Sequence, residues 1–82
     1  MELKDTVDLM NSEDYKERFK AEYLQTKIRY KKLHATIIKY EAGTLGFQPS
    51  CPIGMLKEQK TYMENYLRTL EIRAEIELIE LD

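Results

Sequence analysis

The stretch 19–40, FKAEYLQTKIRYKKLHATIIKY, decides the fold. Phe19, Tyr23, Thr26, Tyr30, Leu33, Ile37 and Tyr40 step along it by 4, 3, 4, 3, 4, 3. Steps alternating in this way place side chains on one face of an α-helix, so the stretch predicts a helix with a heptad seam whose one polar member is Thr26. Tyr15 extends the seam by a turn. Asn11 or Ser12 supplies a short side-chain oxygen for the free N–H groups at the start, and Glu13 and Asp14 suit the positive end of the helix dipole. Gly43 takes a left-handed stop without a Cβ clash. The expected helix covers about 12–42 and a connection covers 43–51, with Leu45 and Phe47 turned inward to close the core.

A second helix is expected over about 52–80. Pro52 suits its first turn, with Ser50 or Cys51 as cap. Leu56, Lys60, Met63, Leu67, Leu70, Ala74, Glu77 and Leu81 repeat the heptad steps, and Met55, Tyr62 and Tyr66 widen the stripe on one side. The alternation from Ile76 to Leu81 also fits a strand, but one strand would lack a partner, so helix is preferred. Leu3, Val7 and Met10 have helical spacing and predict a short docked N-terminal helix. The fold class is all-α: one domain, 1–82, a long antiparallel hairpin preceded by a short helix.

Each long helix carries a further apolar stripe on its far side. Leu24, Ile28, Ala35, Ile38 and Ala42 form it on the first, and Ile72, Ile76 and Ile79 on the second. A hairpin buries one face of each helix, and every isoleucine left in water forgoes roughly 1.5–3 kcal/mol of burial. A ten-residue N-terminal piece cannot cover both stripes. The expectation is a homo-oligomeric helix bundle, a C2 dimer first, with Leu24, Ile28, Ile38, Ile72, Ile76 and Ile79 at the interface.

Composition narrows the function classes. The chain has 82 residues, 13 Lys plus Arg against 15 Asp plus Glu, and a net charge of -2. A DNA-binding domain shows a basic excess, which is missing, so general nucleic-acid binding is disfavoured. One Cys and one His give no disulfide framework and no zinc cluster. No apolar run reaches the ~18 residues of a membrane span, and the start lacks the pattern of a signal peptide. The expected location is cytoplasmic. Charge is segregated, with Lys16, Arg18, Lys20, Lys27, Arg29, Lys31, Lys32 and Lys39 in the first helix and Glu71, Glu75, Glu77, Glu80 and Asp82 near the end. Attraction between neighbouring helices explains this most simply; a basic strip that receives an anion is the functional reading.

Catalytic patterns are missing. His34 and Cys51 stand without sequence neighbours that would activate them. No Gly-rich phosphate loop or hydrolase motif occurs, so the chain reads as non-enzymatic, with no cofactor and no metal. The six tyrosines line the bundle in the simplest reading. In the functional one, the same rings stack a planar base while Arg29, Lys39, Arg68 or Arg73 hold phosphate. Lys27-Ile28-Arg29-Tyr30-Lys31-Lys32 interleaves both residue types. The ligand set expected from this reading is Arg29, Lys39 and Arg73 on phosphate, with Tyr30 and Tyr40 as stacking platforms.

At Asp14 to Tyr23, Lys39 to Leu45, Cys51-Pro52-Ile53 and Arg73 to Glu77, and ahead of them at Leu3 to Met10, the sequence resembles a family of small helical-hairpin proteins of tailed phages and prophages of gut bacteria, related to a protein of a crAss-like phage. The resemblance carries no residue roles. It implies an accessory phage protein, dispensable for building virions and acting in the cytoplasm of an infected bacterium. Counter-defence is the expected role in that context. The leading form is an oligomer that binds an anionic nucleotide immune signal and withholds it. The alternatives are a direct protein–protein inhibitor of a host defence complex and a structural or regulatory adaptor.

Overall fold

The long seam of the first helix needs an apolar partner, and the second helix supplies it. In a computed structural model, which describes residues 1–81, the chain begins with a 3₁₀ turn, Leu3–Thr6, that runs into the short helix α1, Val7–Met10; helix α2, Tyr15–Ala42, and helix α3, Ile53–Glu77, follow. No strand occurs among the described residues. The partners across the hairpin run in opposite order: Arg73 over the Phe19 ring, Glu71 against Tyr23, Glu64 against Tyr30, Lys57 against Glu41. The two long helices are therefore antiparallel, as the seam requires. Asp82, grouped above with the acidic end, lies outside the described residues.

Burial follows the two seams. Phe19, Tyr23, Leu67, Leu70, Ala74 and Ile79 form the central cluster, with Leu24, Tyr30 and Leu81 packed at its edge. The core gathers at the end where α2 starts and α3 stops. Toward the loop, Ile37 is buried, but Leu33, Leu56 and Leu45 are only half-buried. Phe47 is 64% exposed and does not close the core. The loop is tied back by little besides the turn that stops α2, so nothing draws the ring inward.

Helix ends differ from expectation by a few residues, each for a local reason. Helix α2 starts at Tyr15 because the Asp14 carboxylate accepts the Lys16 N–H at 2.9 Å. Ser12 acts one step further out: its hydroxyl accepts from the Asp14 N–H and donates to Glu17. Gly43 ends the helix at φ 76°, and the Thr44 N–H reaches back to the Lys39 carbonyl. Pro52 stands at the cap of α3 itself, without a side-chain cap from Ser50 or Cys51.

The C-terminal end is a correction. Helix α3 stops at Glu77, not near 80. Leu78 adopts φ 57°, ψ 47°, the left-handed cap that glycine usually supplies, and the Ile79 N–H bonds the Ala74 carbonyl. This reversal swings Ile79 inward. It is 8% exposed, in the chain's own core, and is not available to the oligomer contact expected of it. Burial of Ile79 outweighs the cost of a left-handed leucine, which is about 1–2 kcal/mol.

The N-terminal segment docks, although Val7 and Met10 are exposed and Met10 touches α2 only through its sulfur, at Gln25. Thr6 is the anchor, fully buried, donating to the Leu3 carbonyl at 2.7 Å and accepting from Gln25 of α2 at 2.9 Å. The segment packs on α2 and not on α3, so α3 meets only α2. The molecule is long for its size: its radius of gyration is 14.9 Å, against about 12 Å for a compact chain of this length. Among the described residues, no helix is long and apolar enough to cross a membrane.

Candidate functional site

Where α1 leans on one flank of α2 and Tyr66 reaches over from α3, a shallow depression of about 340 Å³ remains. This lies within the ~300–1,000 Å³ usual for small-ligand sites. Its lining includes Arg18, Glu22, Gln25, Thr26, Arg29 and Tyr66. Four of these, Arg18, Glu22, Gln25 and Arg29, are spaced 4, 3, 4 and form a second polar strip beside the seam of α2. Helix geometry alone puts them on one flank.

Each side chain has a definite chemical capacity. Arg18 donates from Nη1 to the Ser12 carbonyl at 2.8 Å, which steadies the guanidinium and leaves further N–H groups. Arg29 is exposed and makes no ion pair among the described residues. The two guanidinium groups stand toward opposite ends of the depression, ~16 Å apart along the axis of α2, and each suits a separate phosphate, whose oxygens the planar fork binds in pairs. Tyr66 donates its hydroxyl to the Glu22 carboxylate and leaves a ring face exposed. Glu22 repels phosphate, and suits a sugar hydroxyl or a base amino group instead. Gln25 is held by Thr6 and by the Met10 sulfur.

A second depression, about 380 Å³, lies on the other side of the N-terminal segment, lined by Met1, Leu24, Lys27, Ile28, Lys31 and Lys32. It is an apolar floor under three lysines. It offers charge but no aromatic face and no planar fork.

The residues expected to share one ligand are spread along the hairpin. Arg29 is in the depression. Tyr30, the next residue, turns about 100° away into the seam, where its hydroxyl donates to Glu64 at 2.6 Å and its ring stacks on His34. The bond to Glu64, with burial and the carboxylate charge, pushes the phenol above its ordinary pKa. The same bond, helped by the Lys60 charge, draws Glu64 below the ordinary carboxylate value. Tyr30 is thus a structural pairing residue, not a free platform. Lys39 and Tyr40 are exposed in the last turn of α2, some ~15 Å along the axis from Arg29. Arg73 lies toward the opposite end, 4.7 Å over the Phe19 ring and bonded to Glu77 at 2.9 Å. One chain does not bring Arg29, Lys39 and Arg73 to one ligand. The basic run 27–32 splits likewise: Lys27, Lys31 and Lys32 face the second depression, and Lys27 also bonds the Tyr23 hydroxyl at 3.2 Å.

Arg18, Glu22, Gln25, Thr26 and Tyr66 had no place in the expected set. The strip spacing on α2 could have pointed to the first three. Tyr66 joins them only through the register between helices.

The profile of the family described as Sequestin matches residues 13–76. The chain belongs to the Sequestin family. The matched span begins just before α2 and ends one residue short of the end of α3. It holds Arg18, Glu22, Gln25, Thr26, Arg29 and Tyr66, every polar lining residue of the first depression. The Sequestin match leaves out the Thr6 anchor and the Leu78 turn. No curated protein and no solved structure matches the chain.

Proposed function

We propose that this chain is a non-enzymatic sequestering protein, which binds an anionic nucleotide signal and withholds it from a host effector. The family description, with its sense of holding something apart, supports the first half of that reading. The second half rests on one observation: Arg18 and Arg29 flank an exposed Tyr66 ring across a ligand-sized depression. The guanidinium groups take phosphate, the ring stacks a base, and Glu22, Gln25 and Thr26 offer hydrogen bonds to sugar or base edges. The protein acts as an oligomeric helix bundle in the cytoplasm of an infected bacterium, as a phage counter-defence factor. Lys39, Tyr40 and Arg73 belong to the site only if another copy brings them to it.

Calorimetry against a panel of cyclic nucleotides and ADP-ribose-derived signals tests this. Binding of one class, lost in Arg29→Ala and in Arg18→Ala, supports it; no binding across the panel overturns it. Direct inhibition of a host defence protein is the second reading, favoured by the exposed Ile72 and Ile76. It requires a stable complex with that protein and no small ligand.

A further inference from the structure

Helix α3 has a second heptad stripe that its own chain does not use. Met55, Glu58, Tyr62, Asn65, Thr69, Ile72 and Ile76 step by 3, 4, 3, 4, 3, 4 along the side away from α2. All seven are exposed, with Tyr62 at 63% and Ile76 at 76%. The N-terminal segment does not reach this side. On α2 the corresponding stripe is partly used up: Leu24 packs against the core and Ile28 is half-buried beside Met1.

We infer that α3 pairs antiparallel with α3 of a second copy along this stripe, and that the pair completes the Arg18–Arg29–Tyr66 site. The inference rests on the oligomer part of the proposed function, and adds the helix, its direction and the shared residue. Area agrees with a second copy as the occupant. The chain exposes 5979 Å², about 800 Å² more than a folded chain of its mass is expected to show. One partner's share of a standard interface is also about 800 Å².

Charge fixes the direction. In a parallel pair Glu58 would face its own copy and Arg68 would flank the partner's Arg73; both contacts repel. In an antiparallel pair centred near Asn65, Met55 meets the partner's Ile76, Tyr62 meets the partner's Thr69, and Glu58 comes level with the partner's Ile72, one residue from the partner's Arg73, which keeps its bond to Glu77. Thr69 already spends its hydroxyl on the Asn65 carbonyl, and the Tyr62 hydroxyl donates to Glu58 at 2.8 Å. Asn65 then faces the partner's Asn65, where two amides can bond each other. A single polar residue of this kind in an apolar seam sets register at some cost in stability.

The same register places Tyr66, one step from Asn65, beside the dyad. Both copies of Tyr66 lie on one face of the pair, so the two depressions open side by side and each has the partner's Tyr66 at its edge. A planar base stacked on one ring is then backed by the other, and four arginines border one continuous site.

The test uses full-length protein with exposed Cys51 replaced by Ser, carrying one new cysteine at a time, and a short bis-maleimide. Asn65→Cys should cross-link to itself efficiently. Ile76→Cys should not, because the two copies of position 76 would lie about 30 Å apart; mixed with Met55→Cys it should give a heterodimer. Self-linking at both positions means a parallel pair and overturns the inference, as does a dimer that links at neither. Sedimentation of the unmodified chain should show a dimer at tens of micromolar, and Ile76→Asp should raise its dissociation constant at least ~30-fold with helix content unchanged by circular dichroism. A monomer overturns the pairing whether or not a nucleotide binds. A dimer with the expected links that binds no nucleotide keeps the pairing and removes the ligand reading.

Discussion

The two stripes of α3 have the same spacing and opposite fates. On the inward one, Leu67, Leu70 and Ala74 are buried against Phe19 and Tyr23. On the outward one, Ile72 and Ile76 are in water. Periodicity says that a helix has an apolar face; it does not say which element covers it. A chain with two long helices has one mutual interface to give, and α3 spends it on the richer stripe. What separates the stripes is the availability of a partner, and substitutions on each should therefore behave differently.

The largest contrast lies between Leu70 and Ile72, two residues apart. Leu70→Ala should cost about 2–5 kcal/mol, because a cavity opens in a small core, and urea denaturation should show most of the chain's stability gone. Ile72→Ala should leave the intrinsic stability of the hairpin within about 0.5 kcal/mol and act on self-association instead. Equal effects would erase the distinction between the faces. By spacing Ile79 belongs to the outward stripe, yet it is buried. Ile79→Ala should cost about 2–4 kcal/mol, like a core residue, whereas Ile76→Ala should not.

Leu78 tests the turn that puts Ile79 inside. The leucine is 82% exposed and left-handed. Leu78→Gly relieves the Cβ clash and should raise stability by about 0.5–1 kcal/mol. A loss in a thermal melt would mean that the helix runs on past Glu77.

The smallest effect concerns the inward seam at Tyr30 and Glu64. Tyr30 is raised in pKa and Glu64 lowered, each chiefly by their mutual hydrogen bond. A lowered carboxylate contributes stability above its unfolded pKa and loses it as pH falls. A raised phenol contributes below its unfolded pKa and loses it as pH rises. The stability gap between wild type and Tyr30→Phe should be widest from about pH 5 to 9, and shrink below ~pH 4 and above ~pH 10. A gap that does not vary with pH would mean that the bond is absent.

Much of the hairpin was legible because a 3.5-residue period pins the inward face of both helices, and Gly43 marks its own left-handed stop. The end of α3 was not. Leucine at position 78 carries no local sign of a left-handed turn; only the burial of Ile79 selects it. The candidate site was half legible. Arg29 stood out by charge, but its neighbours are set by the register of two antiparallel helices, which brings Tyr66 in and carries Lys39 and Arg73 to opposite ends. Spacing along one helix holds no information about that register.

The most direct test of withholding is to incubate a radiolabelled nucleotide of the class found by calorimetry with excess protein, remove the protein by filtration, and then heat it. With sequestration the label leaves the filtrate and returns chemically intact on denaturation. A label that stays in the filtrate, or that returns cleaved, would contradict sequestration.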